Sequence, residues 1–126
     1  MNSGTALVVD DSKSVRLILS KTLRELGWEV EQAPDGRAAL SLLDAQPVPA
    51  RLVLIDWNMP EMNGLDLVRH IRERSRMSAS KLMMVTTETE FEQMKSALDA
   101  GADEYVMKPF TKDIIVDKLR LMGLMQ

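Results

Sequence analysis

Two short stretches, Ala6–Val9 and Leu52–Ile55, are apolar at every position, and each stops abruptly at an aspartate. Runs that short and that aliphatic predict strands buried on both faces, as strands are in a parallel sheet. Lys81–Val85, ending in Thr86-Thr87, and Tyr105–Met107, ending in Lys108-Pro109, predict two more. Trp28–Ala33 reads as a further strand, but Glu29, Glu31 and Gln32 interrupt its apolar positions, which suits a wetter edge. Between these runs the period changes to that of a helix. Val15, Ile18, Leu19, Thr22, Leu23 and Leu26 recur at helical spacing after Asp11 or Ser12 as a cap, and Gly27 follows as a stop. Asp35-Gly36 predicts a turn and Ala38–Leu43 a short helix. Pro47 and Pro49 stiffen the next connection. Gly64–Arg74 is expected to be helical with Leu65, Val68 and Ile71 inward. Arg74–Ser80 reads as a polar loop. Phe91, Met94 and Leu98 mark a helix closed by Gly101, and Thr111 caps a last one carrying Ile114, Ile115, Lys118 and Leu119.

Strictly alternating strands and helices predict a parallel sheet with right-handed crossovers. The expected fold is α/β: a doubly wound, five-stranded parallel sheet of order 2-1-3-4-5, flavodoxin-like, with five helices. The 126 residues suit one domain spanning 1–126, with no room for a separate output domain. The absence of cysteine excludes disulfides and thiolate metal sites, and a single histidine excludes a His-rich zinc site. No apolar stretch approaches the ~20 residues that span a bilayer, and the N-terminus carries no signal-peptide pattern, so a cytoplasmic monomer is the expectation. Net charge is −3 with both signs interleaved, which argues against a nucleic-acid footprint.

In the expected strand order, the C-terminal ends carry Asp10-Asp11, Asp56, Thr86 and Lys108. Strands one and three meet at the switch point, where open α/β sheets bind ligands. Three carboxylates would crowd there and raise one another's pKa unless a cation intervenes. An oxygen-only donor set favours a hard divalent ion, and Mg²⁺ is the expected cofactor. With strands ~4.8 Å apart, Thr86 is one strand from Asp56 and Lys108 two strands away, a gap that a long cationic side chain bridges. This set suits phosphoryl transfer to Asp56, with the cations neutralising the transferring oxygens.

Together, Asp10-Asp11, Asp56 with Trp57-Asn58-Met59-Pro60 and Gly64, Thr86, Tyr105 and Lys108-Pro109-Phe110 resemble the receiver domains of two-component response regulators. The resemblance covers essentially the whole chain and is strongest to the single-domain, CheY-like members. It implies that Asp56 is the phosphoacceptor. Asp10, Asp11, Asp56 and the Asn58 backbone carbonyl would hold Mg²⁺. Lys108 would pair with the phosphoryl group through a cis Lys108–Pro109 peptide. Thr86 and Tyr105 would act as the switch pair, Tyr105 turning inward as Thr86 moves. Asn58 and Glu88 would modulate dephosphorylation. A histidine kinase would be the phosphodonor, and the output a phosphorylation-dependent protein target on the face of helix four, strand five and helix five. The chain would catalyse only its own phosphorylation and dephosphorylation.

Lys13, Arg16, Lys21 and Arg24 on the first helix are either a solvated face or a kinase-docking surface. Most of the ten methionines are core filler, with Met94, Met122 and Met125 as candidates for an adaptable partner surface. His70 reads as a solvated helix residue. Two alternatives remain: a relay passing phosphate on to a second histidine protein, and an aspartate-nucleophile phosphohydrolase. Asn58, two residues after Asp56, cannot supply the acid/base carboxylate that such hydrolases commonly place there.

Overall fold

A computed structural model describes residues 4–87 and 91–125. Five strands, β1 (Gly4–Val9), β2 (Trp28–Ala33), β3 (Leu52–Ile55), β4 (Lys81–Thr86) and β5 (Glu104–Met107), form one parallel sheet of order β2-β1-β3-β4-β5. The helices are α1 (Lys13–Glu25), α2 (Gly36–Ala45), α3 (Gly64–Arg72), α4 (Phe91–Ala100) and α5 (Lys112–Leu121). Among the described residues no helix is long and apolar enough to cross a membrane.

The fully apolar strands divide their side chains between two layers, because successive residues of a strand point to opposite faces. Leu7, Val9, Val53, Ile55, Leu82 and Met84 meet α2, α3 and α4. Ala6, Val8, Leu52, Leu54, Met83 and Val85 meet α1 and α5 through Leu19, Leu23, Ile115 and Leu119. Each fully buried Leu or Ile contributes about 1.5–3 kcal/mol of transfer free energy, so the central strands anchor both layers at once. Local capping sets where the helices begin. Ser12, Asp35, Asn63 and Thr111 each accept an N–H three residues on, from Val15, Ala38, Asp66 and Ile114. Gly27 follows α1 at φ +94°, the backbone conformation glycine tolerates best.

Several sequence expectations need correction. Helix α2 begins at Gly36 rather than Ala38, because Asp35 caps it, and α3 stops at Arg72. The segment expected to be polar loop contains a 3₁₀ turn, Ser75–Met77, whose Met77 is fully buried. Ile18 and Ile114, placed on inward stripes by spacing, are 55% and 41% exposed. A helix lying on a sheet buries a narrower stripe than its periodicity suggests, and only Leu19, Ser20 and Leu23 of α1 are fully covered. Met122 is buried in the α1/α5 layer, and Met94 and Met125 pack partly against the core, so none of the three is a freely exposed surface methionine.

Candidate functional site

Val9 of β1 and Ile55 of β3 are register partners, so the next residues, Asp10 and Asp56, leave the sheet side by side. The Asp56 N–H donates to the Val9 carbonyl at 2.9 Å, and the Asp10 N–H donates to Ala33 at 3.2 Å. Asp11 follows on the short loop into α1. One carboxylate oxygen from each of Asp10, Asp11 and Asp56 lies within 4.8 Å of the other two. Asp10 and Asp56 are buried, at 1% and 6% exposure, whereas Asp11 is open to solvent at the mouth.

Lys108 arrives from the far side. Its N–H continues the β5 ladder by donating to Thr86 at 2.9 Å, and its side chain then crosses back over β4. The Nζ donates to Asp10 Oδ2 at 2.8 Å and stands 3.4 Å from Asp56 Oδ1. The two-strand reach expected from sheet spacing is met. The shorter contact, however, is to Asp10, a pairing that strand spacing does not specify. The Lys108–Pro109 peptide is cis.

Thr86 is fully buried at the end of β4, between β3 and β5. Tyr105 is only 7% exposed and packs in the α2/α3/α4 layer, so the ring expected to turn inward is already inward. After Asp56 the chain alternates: Trp57 and Met59 are buried in the core, and Asn58 between them faces solvent beside the acidic cluster. The Gly64 N–H donates to the Trp57 carbonyl at 2.8 Å and folds the loop back onto the strand end. Glu88, a candidate from the sequence, lies outside the described residues.

The Asp56 carboxyl titrates above the ordinary carboxylate value. Burial is the leading cause, the Asp10 charge comes next, Lys108 opposes both, and Asp11 adds a smaller upward push. Repulsion among the acids is the cause expected from sequence. Desolvation outranks it because Asp56 sits at the floor of the cleft. Among the described residues Lys108 is the cation that meets the carboxylate oxygens of the three-acid cluster, with the Arg16 guanidinium behind it on the Asp10 carbonyl. The three carboxylates are an oxygen donor set that could hold a small, hard divalent cation.

Structure and sequence differ over α1. Two of the four cations read as either a solvated face or a docking surface bond back to the sheet. Arg16 donates to the Asp10 carbonyl at 2.7 Å and to Gln32 Oε1 at 3.3 Å, and Arg24 donates to the Val30 carbonyl at 3.4 Å. Arg16 is half-buried, whereas Lys13, Lys21 and Arg24 stay exposed. No sequence signal distinguishes Arg16, because a helix face written Lys-x-x-Arg looks the same whether it meets water or a carbonyl. His70 lies 3.1 Å from Glu73 on the exposed side of α3, in keeping with a solvated residue.

Known proteins resemble this chain in sequence and in fold. The profile of the response regulator receiver domain matches residues 6–120. The chain is 44% identical over 117 residues to chemotaxis protein CheY1 of Helicobacter pylori, covering 92% of this chain and 94% of that one. It is 41% identical over 114 residues to the chemotaxis protein CheY homolog of Campylobacter jejuni, covering 90% and 87% respectively. Among solved structures, chemotaxis response regulator CheY4 of Vibrio cholerae superposes with a TM-score of 0.87 at 34% identity, covering 94% of this chain and 98% of that one. A doubly wound sheet of order 2-1-3-4-5, three acids and a lysine at its C-terminal edge, and a profile match over nearly the whole chain agree on one conclusion: this chain belongs to the response regulator receiver domain family of two-component systems.

Proposed function

We propose that this chain works as a stand-alone receiver that takes a phosphoryl group from a histidine kinase onto Asp56 and passes the signal to a protein target. The observation that carries this reading is the Lys108 amine, 2.8 Å from Asp10 and 3.4 Å from Asp56, inside a cluster of three acids. Asp10, Asp11, Asp56 and the Asn58 backbone carbonyl are the groups that would hold Mg²⁺, and the ion when bound supplies positive charge to the transferring phosphoryl oxygens.

An Asp56 carboxylate oxygen attacks the phosphorus of a phosphohistidine. A P–O bond forms as the P–N bond breaks, and the departing imidazole nitrogen keeps the electron pair and takes up a proton from solvent. Lys108, poised between Asp10 and Asp56, shifts to the new phosphoryl oxygens and lowers the cost of the charge gathering there. The Thr86 hydroxyl, one strand away, would donate to a phosphoryl oxygen. Since Tyr105 is already inward, phosphorylation would tighten its packing against β4 rather than draw it in from solvent.

The output face is read from exposed apolar residues. On α4, Phe91 and Leu98 are 72% and 47% exposed and seven residues apart, hence on one side of the helix. On α5, Ile114 and Leu121, also exposed, lie four before and three after Lys118, whose amine pairs with Glu104 of β5 at 2.8 Å. They therefore flank β5. These four exposed side chains are the apolar groups that would meet a protein partner on the face of α4, β5 and α5.

Acetyl phosphate with Mg²⁺ is expected to add one phosphoryl group to the intact protein, located by peptide mass to Asp56. No mass gain, in a protein whose Trp57 fluorescence also ignores Mg²⁺ and beryllofluoride, would overturn the reading. A pH effect accompanies it. Only ionised Asp56 ligates a cation, and its pKa is raised, chiefly by burial. Mg²⁺ affinity is therefore expected to fall as pH drops through that raised value, at a higher pH than for an ordinary aspartate. Trp57 titrations at stepped pH check this, and pH-independent affinity down to the ordinary carboxylate range would contradict it.

A further inference from the structure

We infer that Arg16 is a positioning residue for the acidic cluster, aiming Asp11 by holding the peptide that joins it to Asp10; this rests on the metal-binding reading above. Every polar atom of Asp10 is engaged. Its N–H donates to Ala33, its Oδ1 accepts the Ser12 N–H at 2.8 Å, its Oδ2 accepts Lys108, and its carbonyl accepts Arg16 Nη1 at 2.7 Å. The last of these is set apart by where it lies. The β1 ladder ends at Val9, so the Asp10 carbonyl has no strand to receive it, and a buried carbonyl without a partner is costly. Arg16 reaches back from the first turns of α1 to fill that role. Its Nε is braced by Gln32 Oε1 of β2 at 3.3 Å.

The consequence falls on Asp11. Asp11 stands exposed at the mouth of the cleft, and its backbone fixes where its carboxylate starts. That backbone is the far end of the peptide plane whose carbonyl Arg16 grips. A guanidinium with two braced donors fixes that plane more firmly than one flexible ammonium could. Arg16 thus joins β1, β2 and α1 behind the cluster and presents two of its three acids together.

Charge and geometry make opposite demands here, and this gives a test with a sign. As a cation near the cluster, Arg16 repels Mg²⁺, and its removal alone would tighten binding. As a positioning group, its removal weakens binding. Mg²⁺ titrations followed by Trp57 fluorescence are expected to show Arg16→Gln about ten-fold weaker than wild type, the usual scale for groups that orient a metal ligand. Arg16→Lys, which keeps the charge and a single donor nitrogen, should recover part of the loss. Arg24→Gln, on the same helix and also bonded to a strand carbonyl, should bind as wild type does. Circular dichroism and melting curves establish that each variant is folded, and Arg16→Lys serves if Arg16→Gln is not. Binding by Arg16→Gln equal to or tighter than wild type would overturn the inference, as would equal weakening in Arg16→Gln and Arg24→Gln. If wild type itself ignores Mg²⁺, the metal reading falls and takes this inference with it, whereas a wild-type response left intact in the variants removes the inference alone.

Discussion

Replacing Asp56 by asparagine is expected to abolish phosphoryl uptake while making the metal-free protein more stable. The first effect is all-or-none, because a neutral amide is no nucleophile toward phosphorus at neutral pH. The second follows from the raised pKa of Asp56. Below the ordinary value of 3.8 both folded and unfolded chains carry the proton, and the group is neutral to stability. As pH rises, the unfolded chain releases its proton first. The native state then loses stability until its own, higher pKa is passed, and the loss persists at neutral pH. Asparagine removes the buried charge and its repulsion with Asp10, and Lys108 keeps its 2.8 Å bond to Asp10. A higher Tm than wild type is expected at neutral pH without Mg²⁺. It should shrink as pH falls through the Asp56 titration. Added Mg²⁺ should reverse the order, since wild type gains ~1.4 kcal/mol when free ion is about ten times its Kd. Thermal melts over pH, with and without Mg²⁺, measure all three. A variant less stable than wild type in metal-free buffer at neutral pH would refute the electrostatic account.

Gly64→Ala is expected to carry the largest stability cost of any single-methyl addition near the site. A Cβ at Gly64 would press on the Asp56 carbonyl oxygen and stand 2.9 Å from Trp57 Cα and 2.8 Å from Met84 Cε. The methionine tip can move, but the two backbone atoms cannot without shifting Asp56 itself. Overpacking against backbone costs about 1–3 kcal/mol. We expect the upper end, along with weaker Mg²⁺ binding, because the strain lands on the ligand. Gly36→Ala makes the contrast. It too opens a helix, α2, but its nearest neighbours are side-chain atoms of Met62, which can give way. Urea unfolding of both variants decides the point. Equal, small losses would mean that the α3 entry yields more easily than the geometry implies.

Asp56 and Gly64 both stand out in the amino-acid sequence, and the reason is physical. Asp56 ends a strand that is apolar at every residue, so its place at the C-terminal edge follows from period and length alone. Alternation and handedness predict the parallel sheet, and its flavodoxin-like order places Asp10 beside Asp56 and Lys108 two strands away. The layered core and the caps at Ser12 and Thr111 are legible for the same reason: each is encoded by residues close in sequence or by a repeating period.

Other features belong to the tertiary structure. Which carboxylate Lys108 holds more closely depends on a long side chain crossing β4, and no spacing encodes that. The leading role of burial in the Asp56 titration depends on what packs around the cleft. The exposure of Ile18 and Ile114 depends on the width of the groove between helix and sheet. Arg16 is the plainest case: from sequence it is one cation on a mixed helix face, and only the end of the β1 ladder, with a carbonyl left over, gives it a partner. Periodic burial and strand-end chemistry are local and can be read along the chain, whereas the partner of a long polar side chain is settled by which unpaired group folding brings within its reach.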